Sequence, residues 1–153
     1  IVNNLMDRRA EQVEQVVKGL ALLKDGAGLS EDTTVAALNE YVELLEDIAL
    51  DTPGAFKFFG MAMAALQVPL SRVSEALGEL AADVSSVEPS GVPVVKAYLQ
   101  HLAAMHGEEQ TRKDIEAAQF DITQFFNKDR RSDAEVRRAL NLADLLPLFP
   151  KYA

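Results

Sequence analysis

The sequence predicts an all-α fold of stacked antiparallel helical hairpins. Apolar residues recur at three- and four-residue spacing along nearly the whole chain, the mark of one buried helix face. No segment alternates with the two-residue period of a strand. The periodic stretches run about 12 to 20 residues and are separated by short breaks, which join helices as antiparallel neighbours.

Val13, Val16, Leu20 and Leu23 form the first stripe, on a helix from about Asp7 to Lys24 that Gly26 and Gly28 end. Ser30 caps the next helix, with Glu31 and Asp32 in its first turn, where the helix dipole favours acids. Its stripe is Val35, Leu38, Val42, Leu45 and Ala49. Thr52 reads as a second N-cap with Pro53 at the first helical position, leading into a stripe of Phe56, Phe59, Met63 and Leu66. Adjacent Phe56, Phe58 and Phe59 cannot all face one way, so one fills a gap between hairpins.

Pro69 opens a fourth helix through Val73, Leu77, Leu80 and Val84. Residues 85–93, SSVEPSGVP, form the longest break and read as an internal loop. A fifth helix starts at Pro93, carries Val95, Leu99, Leu102 and Met105, and closes at Gly107. A short amphipathic helix spans Glu109 to Ala118 around Ile115. Asp121 caps a shorter one, ITQFF, and Ser132 with Glu135 makes a capping box for a last helix ending near Pro147. Long and short helices in series give hairpins stacked in the HEAT manner, a single domain over residues 1–153. The first helix has no partner before it and the chain does not begin with Met. It is therefore expected to be a piece of a longer protein whose first hairpin is incomplete.

At 153 residues and 48% hydrophobic content the chain can bury a real core. No apolar run approaches the roughly 18 residues of a membrane span, and no leader-type segment opens the sequence. Cys is absent, which excludes thiol metal sites and disulfides and fits a reducing, cytoplasmic compartment. The net charge of −9 is concentrated: between Asp25 and Val95 twelve acids face only two bases, Lys57 and Arg72. Such a surface repels phosphates and attracts basic partners.

Catalytic patterns are missing. His101 and His106 are five residues apart and diverge around a helix, where a metal pair needs three or four. The GAG at 26–28 follows a helix rather than a strand, so it is no phosphate loop. The serines lack a nucleophile elbow, and no carboxylate pair sits in the apolar setting that raises a pKa for acid catalysis. The basic runs at 112–114 and 128–131 are interspersed with acids and lack interleaved aromatics, which argues against direct RNA binding. The chain reads as a non-enzymatic module with no cofactor.

One stretch stands out, EDIALDTP at 46–53. Asp47 and Asp51 are four apart, with Glu46 beside them, in the last turn of a helical pattern. There the dipole disfavours acids and like charges at this spacing repel. Asp51 or Thr52 could cap the following helix, but that would leave Asp47 unexplained.

EDIALDTPGAF resembles the signature of MA-3 domains, helical HEAT-like domains of translation initiation factor 4G scaffolds and of a related translation inhibitor. GLSEDTTVAALNEYVELLEDIALDTP, QVPLSRVSEALGEL and PVVKAYLQHLAAMHGEEQTRKDIEAAQFDITQFF are similar to successive stretches of that family, so the likeness runs from about Val2 to Phe126. Gly54 departs from it, standing where relatives often carry a basic residue.

The resemblance implies that Asp47, Asp51 and Pro53, with Glu46 as a reinforcing neighbour, contact the N-terminal RecA-like lobe of a DEAD-box RNA helicase, initiation factor 4A. The acids would be a preformed docking surface kept despite a local stability cost. An inhibitor using the same acids, or a helical adaptor for an unrelated basic protein, are the alternatives.

Overall fold

The computed structural model describes residues 30–52, 54–82, 84–85 and 89–153, and at 46, 48 and 51 the backbone alone. The helix expected over residues 7–24, and Pro53, lie outside these described residues. Among them every regular element is helical. The α-helices are α1 (Glu31–Asp51), α2 (Ala55–Ala65), α3 (Val73–Leu77), α4 (Glu79–Ala82), α5 (Gly91–His106), α6 (Glu108–Ala118) and α7 (Asp133–Leu142). Short 3-10 turns at Leu70–Arg72, Ile122–Phe125, Lys128–Arg130, Leu146–Leu148 and Pro150–Tyr152 complete the chain.

Helix α2 lies along α5, α1 packs on α3 and α2, and α6 packs on α5 and on the turn preceding α3. The α1–α3 pairing ascends together, since Glu31 and Asp32 meet Arg72 while Asn39 reaches Glu75. Tyr41 of α1 stacks on Phe59 of α2, with ring centroids 6.0 Å apart. One hydrophobic cluster runs through the stack from Val35 to Tyr152. Leu38, Val42, Leu45, Phe59, Met63, Leu77 and Leu99 are buried in it as their stripes require, and Leu102 is half-buried against it. Met105 instead faces solvent.

At Gly60, α2 meets the Val94–Tyr98 segment of α5 backbone to backbone. Just after α2, Gln67 takes a left-handed φ of 59° and the buried Tyr98 hydroxyl donates to the Val68 carbonyl, so α5 also fixes the exit from α2.

The local signals hold at several ends. Ser30 Oγ accepts from the Thr33 N–H at 3.2 Å, and Asp121 accepts from the Thr123 N–H at 2.9 Å. Ser132 Oγ accepts from the Glu135 N–H at 3.4 Å while donating to Glu135 Oε2 at 3.0 Å.

Elsewhere the boundaries move. The fourth helix is not continuous: it divides at Gly78, whose φ of +51° and ψ of −118° suit only glycine. Asn39 of α1 fills the notch, donating from Nδ2 to the Glu75 carbonyl at 3.0 Å. Helix α2 starts at Ala55 with Gly54 as its N-cap, not at a Thr52–Pro53 cap. Residues 91–93, expected in the loop, are the first residues of α5. Helix α7 ends at Leu142 rather than near Pro147. Asp144 there turns left-handed with φ 56°, and the Leu145 N–H reaches back to the Leu140 carbonyl at 2.8 Å, closing the helix before proline could interrupt it.

Candidate partner-binding surface

Helix α1 is 21 residues long and delivers the DTP stretch to the elbow between α1 and α2. Its core side is held by Val35, Leu38, Val42 and Leu45, with Ala49 half-buried. At about 100° per residue, Asp47 points away from that stripe, and its side chain is exposed. Asp51 lies one turn further on and shares Asp47's side of the helix, while Glu46 is rotated about 100° from Asp47. Pro53 lies outside the described residues. Thr52 is half-buried, and its carbonyl accepts from the Ala55 N–H at 2.9 Å, closing the elbow.

With Gly54 at the N-cap of α2, neither Asp51 nor Thr52 occupies the capping position.

The two ends of α1 differ in how their acids are balanced. At the start, Arg72 Nη1 contacts Glu31 at 3.0 Å and Asp32 at 2.6 Å, while Nη2 contacts Glu75 at 2.9 Å. These acids, Glu75 first, raise the Arg72 pKa further above its ordinary value, and Arg72 in turn holds the Glu75 carboxyl below its own. At the other end no basic residue lies in the last turn. Among the described residues, Asp47 enters no ion pair.

The surface around Asp47 is not purely acidic. Glu40 and Glu43 are exposed on the same outer half of α1. Leu44 is 57% and Leu50 83% exposed, three residues before and after Asp47. The core stripe ends at Ala49, and both leucines fall off it. Their signal was present: a leucine about 100° off the core stripe of a surface helix has no core to enter.

A cleft of about 360 Å³ is lined by Glu108, Glu109, Arg112, Pro147, Pro150 and Ala153; it contains neither a histidine nor a hydroxyl nucleophile. Among the described residues no group of His, Cys, Asp or Glu is arranged to hold a metal ion, and no helix is long and apolar enough to cross a membrane. Comparison with protein-family models, with curated proteins and with solved structures finds no match to this chain.

Proposed function

We propose that this domain is a docking module of the MA-3 type, binding the N-terminal RecA-like lobe of a DEAD-box RNA helicase, initiation factor 4A, within a cytoplasmic translation-initiation scaffold. The observation that carries the reading is Asp47: exposed, without an ion pair among the described residues, and set in a helix end that has no base. Stability gives no reason for an acid there, whereas a basic partner does. The resemblance of EDIALDTPGAF to the MA-3 signature supplies the partner's identity.

In this reading Asp47 and Asp51 receive Lys or Arg side chains of the helicase, Glu46 adds to the local field, and Pro53 fixes the elbow and offers an apolar rim. The chain works by binding and carries out no chemistry of its own. The stacked hairpins serve to hold α1 rigid, so that the acids are presented in a fixed geometry and little is lost in ordering them.

The test is calorimetric titration of purified helicase into the 153-residue chain. Saturable binding that weakens with salt is expected, and absence of binding at low salt overturns the reading. A helicase assay on the complex then separates a scaffold from an inhibitor through the sign of the effect, since both use the same acids.

A further inference from the structure

We infer that Leu50 is the apolar anchor of this docking surface, received by an apolar recess that basic residues surround on the partner. The inference rests on the docking reading above and adds to it the residue that holds the complex together.

Leu50 is 83% exposed, the highest among the exposed large hydrophobic residues described. A single exposed leucine is ordinary; its setting here is not. It lies three residues after Asp47 and seven after Glu43, so the three share one side of α1 over two turns. Both acids are exposed. The leucine is thus flanked by carboxylates at the helix end, away from the side that Val35, Leu38, Val42 and Leu45 bury.

The charges select a basic partner and exclude an acidic one. A lipid surface bearing anionic headgroups or a nucleic-acid backbone would be repelled. Yet exposed ion pairs alone hold little, because water solvates both partners and salt screens them. A long-lived complex needs an apolar group desolvated among the charges, with the charged ring excluding water around it. Leu50 is placed to be that group, since it stays 83% exposed and no described residue buries it.

The test compares the full chain with Leu50→Ala and with Asp47→Ala, using purified helicase as the probe, stopped-flow binding as the readout, and melting and sedimentation as controls. Leu50→Ala is expected to melt and sediment as wild type and to bind at least about tenfold more weakly, chiefly through faster dissociation. Asp47→Ala is expected to slow association, most at low salt.

If Asp47→Ala weakens binding and Leu50→Ala does not, docking at the acids stands and the anchor is refuted. If wild type does not bind the helicase, both fall. A lower melting temperature for Leu50→Ala would mean that the chain itself covers the leucine. A shift from dimer to monomer would mean that a second copy does. Either overturns the inference.

Discussion

Gly60 of α2 and Val94 of α5 meet with no space for a side chain between them. A Cβ built at Gly60 would lie 2.2 Å from the Val94 carbonyl oxygen, 2.9 Å from Ala97 Cβ and 2.9 Å from the Tyr98 nitrogen. Two of these three neighbours are backbone, so no rotamer change relieves the clash.

Gly60→Ala should therefore destabilise, although alanine is the better helix former by about 1 kcal/mol. Overpacking of this kind costs about 1–3 kcal/mol and more where backbone must shift. Denaturant melts are expected to give a lower midpoint for the variant. A midpoint at or above wild type would show that α2 and α5 are further apart than described.

Tyr98 offers a second test of the same seam. Its hydroxyl is buried and donates to the Val68 carbonyl. Tyr98→Phe keeps the ring but leaves that carbonyl unpaired, at a cost of about 1–3 kcal/mol. Burial also raises the hydroxyl pKa above its ordinary 10.0. A raised folded-state pKa gives stability that is complete below the unfolded value and lost as pH climbs from there through the folded value. Wild type should lose melting temperature above pH 10, and Tyr98→Phe should lose less over the same range.

Arg72 and Glu75 predict the opposite end of the pH scale. The Glu75 carboxyl is held below its ordinary 4.5, first by its hydrogen bond to Arg72. A depressed folded-state pKa gives stability present above the unfolded value and lost as pH falls through the folded one. Arg72→Met should melt earlier than wild type at neutral pH, because Glu31, Asp32 and Glu75 all lose their cation. The gap should narrow as pH drops below 4.5, and also with added salt, since the acids are exposed. A gap independent of both pH and salt would assign the role of Arg72 to packing of its stem.

Much of this fold was legible because helical period and burial are local properties of sequence. Val35, Leu38, Val42 and Leu45 follow from spacing alone, and Ser30 and Asp121 cap as their side chains dictate. What could not be read depends on partners distant in sequence or on a local backbone choice that sequence leaves open. The break at Gly78 involves Asn39 in another helix. The early end of α7 requires Asp144 in a left-handed conformation that sequence permits without demanding. At the candidate site the acids are legible as charges out of place, while the leucines beside them are not legible as part of a site, because single exposed leucines are ordinary on a protein surface.

The acids themselves give the sharpest test. Asp47→Ala with Asp51→Ala should leave the fold intact, since acids at a helix C-terminus and at four-residue spacing are locally unfavourable, so stability should stay near neutral or rise slightly. Gly54 rather than Asp51 stands at the N-cap of α2, and the melting curves report any capping loss at Asp51, about 1 kcal/mol. Helicase binding should fall, because each truncated acid leaves a base unpaired across the interface, at a cost of about 2–5 kcal/mol where the pair is buried and much less at the rim. Wild-type binding should weaken as salt rises, with a Debye length of about 10 Å at 0.1 M; the double variant should show a flatter dependence. Reversal to Lys at both positions should bind worse than Ala, because repulsion is added to a lost contact. Titration and melting curves on the same preparations decide the matter. A double variant that melts and binds like wild type would move the docking site away from the end of α1. If melting falls sharply with binding, the single Asp47→Ala gives the decisive comparison, because Asp47 is exposed and enters no ion pair among the described residues.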